Sequence, residues 1–262
     1  MSVDTYAAGT TLILASTLAA VIGLLAVRRA YRIHNLATIH EVSGQFLAVV
    51  GTLYAVLLGL IVVEAMSRFQ QVETLVGDES NALAEVIYLA GGMPDARKAE
   101  VHERAAAYAH LVIDREWPLL AHGQPLLEAR QAVLDLMRLV RDWEPATERE
   151  KAVYAEVLPT VSDLWNARRQ RIIASQHRIP PLEWCVVILG GIITVGFTYL
   201  FDLDNLKLQV ALTAMIALLI ALNIFLLLMF GYPFSGDLCV SPDSFRIALF
   251  TLPQGQPTLG SP

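Results

Sequence analysis

Charged residues are scarce in this sequence, and the basic ones do not outnumber the acidic ones. Charged side chains make up 17% of the 262 residues, hydrophobic side chains make up 55%, and the formal net charge is −6. With a mean hydropathy of +0.51, the chain is too apolar for an ordinary soluble domain of this length. It also has no basic surface for a phosphate backbone, so we expect no nucleic-acid partner.

Cysteine and the usual motifs of active sites are also missing or rare. The two cysteines, Cys185 and Cys239, lie far apart in apolar sequence, which excludes a disulfide framework and a CxxC metal site. There is no HExxH pattern, no Gly-rich phosphate loop and no GxSxG elbow. We therefore predict no catalytic residue, no metal site and no cofactor.

Long hydrophobic runs are the main positive feature. Residues 7–27 contain no ionisable side chain over 21 positions, which is enough for a helix to cross a hydrocarbon core of about 30 Å. Similar runs occupy residues 44–63, 184–201 and part of 208–234. The residues before the first run contain no Lys or Arg, so we expect that run to be retained as an anchor. The sequence predicts four transmembrane helices.

The segment between the second and third runs is polar and has helical patterns. Val101, Ala105, Tyr108 and Val112 fall on one face of a helix, with charges on the other faces. We predict an all-α, polytopic membrane protein with a helical soluble domain inserted between helices two and three. The predicted boundaries are 1–64 for helices one and two, 65–181 for the soluble domain, 182–236 for helices three and four, and 237–262 for a short C-terminal tail.

Predicted helix two has two different faces on a helical wheel. One face carries small residues, which let a neighbouring helix approach closely. The simpler interpretation of this face is that another helix packs against it. The other face carries leucines and ends in a carboxylate. The helix-packing candidates are Gly51, Ala55 and Gly59, and the pore-lining candidates are Leu53, Leu57, Leu60 and Glu64.

The pore interpretation requires several copies of helix two around an axis. Apolar side chains there form a constriction that gates by dewetting, and a ring of Glu64 at its mouth favours cations. Asn223, an amide deep in helix four, is a further packing candidate, because we expect it to form a hydrogen bond with another helix.

The distribution of arginines gives a prediction for membrane orientation. One group follows helix one, and a slightly larger group flanks the predicted soluble domain, where we expect it to lie near lipid headgroups. The larger group favours a cytoplasmic domain. The first group is Arg28, Arg29 and Arg32, and the second is Arg68, Arg168, Arg169, Arg171 and Arg178.

The order of several short motifs identifies a family. They are LYAVLLGLIVV in helix two, then FQQVETLVGDESNALAEVIYLAGGMP, DREWP at residues 114–118, RRQR at residues 168–171 and PFSG at residues 233–236. In this order, over residues 44–243, the chain resembles the bestrophin-like family of bacterial membrane proteins.

This resemblance implies kinship with bestrophins, which are pentameric ion channels with a hydrophobic neck lined by the second transmembrane helix and a cytosolic helical domain. It therefore implies a homo-oligomer, a pentamer, in the bacterial inner membrane, with the lipid bilayer and small ions as partners. The chain departs from bestrophins because Tyr54 is the one aromatic residue between Gly51 and Val63. It also lacks their acidic calcium-binding run after helix four, so we expect no calcium gating.

Two other classes of function stay open at the level of sequence. In one, the protein is a non-conducting membrane scaffold or sensor whose helical domain binds a protein partner. In the other, it is a membrane enzyme with carboxylates such as Asp114 and Glu116 at the interface.

Overall fold

A computed structural model describes residues 5–30, 37–176, 179–200 and 205–252, with the backbone alone for residues 37–47. Within these ranges every regular element is a helix and there is no strand, which confirms the all-α prediction. The helices are α1 (Tyr6–Ala30), α2 (Ala37–Ala90), α3 (Asp95–His110), a π-helix (Leu111–Glu116), α4 (Trp117–Leu120), α5 (Leu127–Arg141), α6 (Glu148–Gln176), α7 (Pro181–Tyr199), α8 (Leu206–Phe230) and α9 (Asp243–Leu249).

Four of these helices are long and apolar enough to cross a membrane, and they confirm the four predicted spans. They are α1, α2 from Ala48 onwards, α7 and α8. Helix α2 continues beyond Glu64 to Ala90 because the sequence has no proline there to remove a backbone donor. The chain forms two compact units. The membrane unit contains Met1–Phe69 and Arg178–Leu238, and the helical unit contains Gln70–His177 and Cys239–Pro262.

The membrane unit is held together by close approach of α2 to α7. The ring of Tyr54 lies against Gly190, where an added Cβ would meet the ring at 2.4 Å. The Tyr54 hydroxyl donates a hydrogen bond of 2.8 Å to the carbonyl oxygen of Val187. Leu58 and Leu227 are buried in the same core. A glycine is therefore required at position 190 for this side of α2 to face the core.

The helical unit buries the face of α3 that the sequence predicts. Val101, Ala105, Tyr108 and Val112 are all fully buried, so this prediction is confirmed. At its C-terminal end α3 continues into the π-helix, a wider turn that often occurs at functional sites. The last residue of the π-helix, Glu116, is also fully buried.

Candidate functional site: helix α2 and a buried ion-pair cluster

The membrane-spanning part of α2 buries one side in its own chain and leaves the opposite side exposed. Tyr54 and Leu58 are buried. Val56 lies two residues from each of them, and two residues of an α-helix correspond to a rotation of about 200°. Val49 and Val63 lie seven residues before and after Val56, and all three valines are more than half exposed. The three valines therefore form an apolar line directly opposite the core of the membrane unit.

The four predicted pore residues lie beside this line and are not equivalent. Leu53 and Leu60 are 67% and 66% exposed, whereas Leu57 is only 37% exposed. Leu53, Leu57 and Leu60, together with Val56, line an open apolar groove that also contains Leu182 of α7. Glu64 is exposed and accepts a hydrogen bond of 2.9 Å from Nε of Arg68, one turn further along α2.

The predicted packing residues of α2 face open space in a single chain. An added Cβ at Gly51 or Gly59 would meet no atom within 4 Å, and Ala55 is exposed. Asn223 donates a hydrogen bond of 2.9 Å to the carbonyl oxygen of Leu219, so this bond lies within α8 and does not join two helices as expected. A role of these residues between copies of the chain stays a prediction.

The helical unit contains a group of buried charges that sequence reasoning missed. Arg168 forms two parallel hydrogen bonds with the carboxylate of Glu116, at 2.7 Å from Nη1 and 2.6 Å from Nη2. The same carboxylate accepts a hydrogen bond of 2.9 Å from the backbone N–H of Leu126. Both side chains are almost completely buried. Two-pronged pairs of this kind are the strongest and most directional ion pairs in proteins.

A second arginine extends this pair into a network. Arg171 donates to Glu79 from Nε at 2.5 Å and from Nη2 at 3.0 Å, and Nη2 also donates to Glu116 at 2.9 Å. The Tyr108 hydroxyl donates to Glu79 and accepts from Nη1 of Arg168 at 3.3 Å. We call these five residues the ion-pair cluster. Its two arginines and two glutamates balance in charge.

Aromatic rings cover the cluster on the side of the C-terminal segment. The guanidinium carbon of Arg171 lies 5.4 Å from the ring centroid of Trp117 and 5.8 Å from that of Phe245 in α9, within the range of cation–π attraction. The two rings contact each other edge to face. Trp117 Nε1 donates a hydrogen bond of 3.0 Å to the carbonyl oxygen of Val240. The segment predicted as a short tail, 237–262, therefore supplies part of the packing of the helical unit.

The surroundings of the cluster fix its protonation states. Burial by itself would raise the pKa of Glu116, but the hydrogen bonds and positive charges of Arg168 and Arg171 outweigh burial and hold that pKa below its usual range. Burial and the nearby negative charge of Glu79 raise the pKa of Tyr108 well above its usual range. Glu116 is therefore ionised and Tyr108 is neutral at physiological pH.

The cluster corrects one expectation from the sequence and bears on the enzyme alternative. The side chains of Arg168 and Arg171 are not available to lipid headgroups, because both are buried and paired inside the helical unit. Arg178, from the same group of arginines, lies outside the described residues. The enzyme alternative named two carboxylates, Asp114 and Glu116. Glu116 forms ion pairs with both arginines of the cluster. Asp114 is exposed, and its Oδ2 lies 3.6 Å from Nδ1 of His110. The described residues contain no group of three or more potential ligands that could hold a metal ion.

A signal for the cluster is present in the sequence, because each charge interrupts an apolar stripe. On α6, Arg168 and Arg171 continue the buried stripe that begins with Val157, Val161 and Leu164. The other two stripes are Val72, Val76, Glu79 and Leu83 on α2, and Val101, Ala105, Tyr108, Val112 and Glu116 along α3 and the π-helix that follows it. A charge at a stripe position is buried with the stripe, and a buried charge requires a partner of opposite sign.

Four apolar helices define the chain as a polytopic helical membrane protein. The family model of the bestrophin-like domain matches residues 14–245, and the chain belongs to the bestrophin-like family. Two mutant crystal structures of a bacterial bestrophin homologue from Klebsiella pneumoniae share its fold. They have a TM-score of 0.67 and 12% or 11% identity, and the match covers 93% of this chain and 98% or 97% of theirs.

A mutant crystal structure described as that of a membrane protein is similar too, with a TM-score of 0.66 and 11% identity over 93% of this chain and 96% of that chain. No curated protein matches the chain significantly. At these identities the solved structures establish the fold, and the family match establishes kinship.

Proposed function

We propose that the chain is a subunit of a homo-oligomeric ion channel, a pentamer, in the bacterial inner membrane, and that α2 of each subunit lines the axis. The observation that carries this proposal is the continuous apolar side of α2 that a single chain leaves exposed opposite its own core. Membership of the bestrophin-like family supports conduction, because the bestrophins that the chain resembles are ion channels.

The position of the core of the membrane unit supports one assignment of the residues that face the axis. In a ring, the core of each subunit lies behind its α2, and the neighbouring subunits lie on the two flanks. The side opposite the core then faces the axis, so Val49, Val56 and Val63 line the pore, with Leu53 and Leu60 beside them.

The two flanks of α2 fit a head-to-tail contact between neighbouring subunits. A ring requires two different surfaces that complement each other. The flank with Gly51, Ala55 and Gly59 is open enough for a close approach, and the flank with Leu57 supplies a side chain to fill that space.

In a pore lined by valines, ions pass only while the apolar neck contains water. Rings of Val56 and Val63 lie about 10 Å apart along the axis and form an apolar neck that gates by dewetting. Glu64 follows the last valine and favours cations at the mouth. Arg68 pairs with Glu64 at 2.9 Å and offsets part of this preference.

Thiol accessibility tests the axis directly. The two native cysteines are replaced by serine, and Val56→Cys is reconstituted into liposomes for measurement of potassium and chloride efflux. We expect a methanethiosulfonate reagent to block the efflux. The matched control is Leu218→Cys, an exposed apolar position on α8, where the reagent should have no effect. An unaffected Val56→Cys, or equal block of both variants, would remove α2 from the pore.

The second candidate is a non-conducting scaffold or sensor, and apolar groups on the surface of the helical unit favour it. Tyr88 and Phe250 are among the most exposed large hydrophobic side chains of the described residues, and aromatic residues are enriched in protein interfaces. A folded oligomer without ion flux in liposomes would favour this candidate over the channel.

We also propose that the helical unit is cytoplasmic. Arg68 follows the membrane-spanning part of α2 and is exposed, and basic residues that flank a span favour the cytoplasmic side. The resemblance to bestrophins supports the same orientation.

A further inference from the structure

The membrane unit contains a long apolar cavity between α1, α7 and α8. Its volume is about 570 Å³, which is within the range of ligand sites in proteins. Along α7 the lining begins at Trp184 and ends at Tyr199. Fifteen residues of helix correspond to about 22 Å, so the cavity extends along the helix axes over most of the hydrocarbon thickness.

Two polar side chains that line this cavity already form hydrogen bonds within the chain. Ser16 donates its hydroxyl to the carbonyl oxygen of Ile13 at 3.0 Å, and Tyr199 donates to that of Ala20 at 2.7 Å. The remaining lining is almost entirely aliphatic or small. Because water in a cavity needs several polar partners, this cavity is suited to an apolar occupant.

Small residues create the space. Gly196 lies on the α7 wall, and an added Cβ there would meet no atom within 4 Å. Ala217 and Ala221 of α8 form the opposite wall. A larger side chain at position 196 would therefore enter the cavity without first displacing a neighbour.

We propose that this cavity holds one acyl chain of a membrane phospholipid. The rim residues Leu12, Ile188 and Ile192 are exposed, so the cavity opens on the apolar surface of the membrane unit, where acyl chains run in the direction of the helix axes. A second copy of the chain is the less suitable occupant, because α2, which carries the surface proposed for subunit contact, supplies none of the lining residues.

The position of the tryptophans makes the site measurable. Trp184 lines the cavity, and the other three tryptophans, at positions 117, 143 and 165, belong to the helical unit. A phospholipid with dibrominated acyl chains is titrated into the full-length chain in detergent, and the quenching of tryptophan fluorescence is recorded. We expect saturable quenching, because a defined site fills at a low ratio of lipid to detergent.

Variants that fill the cavity separate this site from lipid at the general surface. Gly196→Leu should abolish the saturable quenching. Ala19→Leu, on the α1 wall, should do the same and replaces the first variant if that one does not fold. The matched control is Ala211→Leu, which is exposed on α8 outside the cavity and should behave like the wild type.

Three results would overturn the proposal. They are quenching that never saturates in the wild type, saturable quenching that persists in the filled variants, and saturation by a dibrominated free fatty acid but not by the phospholipid. The subunit number and the ion flux have no part in this test, so it succeeds or fails independently of the proposed channel.

Discussion

Replacing Glu116 by Gln removes one of the two negative charges of the ion-pair cluster at almost unchanged shape. Arg168 then stays buried without its charged partner. Removing one partner of a buried ion pair costs about 3–5 kcal/mol. We expect the lower end, because the amide oxygen still accepts the hydrogen bond from the backbone of Leu126. A loss of this size lowers the unfolding temperature of a unit of this size by about 10 °C.

The assay is thermal unfolding of the full-length chain in detergent, followed by near-UV circular dichroism, which reports the aromatic side chains around the cluster. The matched control is Glu148→Gln. Its ion pair with Lys151 is exposed on the surface of α6, so it contributes little to stability, and its unfolding temperature should equal that of the wild type.

A second substitution tests the cause of the loss. Adding Arg168→Met to Glu116→Gln removes the unpaired positive charge, and a buried apolar residue of similar size is often well tolerated. We therefore expect the double variant to be more stable than the sum of the two single changes predicts. Strictly additive losses, or a Glu116→Gln variant as stable as the Glu148→Gln control, would refute the account of the cluster.

The remaining predictions concern pH, conduction and orientation. The pKa of Glu116 is lowered in the folded protein. Ionised Glu116 therefore stabilises the fold at pH values above the ordinary glutamate pKa of 4.5, and this stabilisation is lost as the pH falls below it. If the unfolding temperature of Glu116→Gln depended on acid pH as that of the wild type does, this explanation would be wrong. Val56→Ser should raise leak conductance in liposomes more than Leu57→Ser, and the reverse order would shift the axis towards Leu57. Glu64→Gln should shift the reversal potential in a salt gradient towards anions, whereas identical potentials would remove Glu64 from the mouth. Cys239, exposed in the helical unit, should resist a membrane-impermeant thiol reagent in intact cells and react after lysis; labelling of intact cells would reverse the proposed orientation.

The membrane-spanning helices were predictable because their signal is local. A run of apolar residues long enough to cross the bilayer specifies a helix by itself, and α1, α7 and α8 follow the predicted runs within a few residues. The buried face of α3 was predictable for a similar reason, since its spacing is contained in one short segment.

The two candidate sites depend on contacts between distant segments, so sequence reasoning reached them only in part. The faces of α2 were evident from the wheel, but the face that packs against its own chain is determined by Tyr54 and its fit to Gly190 of α7. The ion-pair cluster joins residues more than 50 positions apart in the chain. Its charges belong to a polar segment, where each charge taken alone is typical of a solvated surface.

The mass of the detergent-solubilised complex, measured by light scattering with the detergent contribution subtracted, tests the proposed channel most directly. The account predicts five times the 28.8 kDa of one chain, because an axis lined by α2 exists only in a ring of subunits. A monomer or a dimer would contradict it.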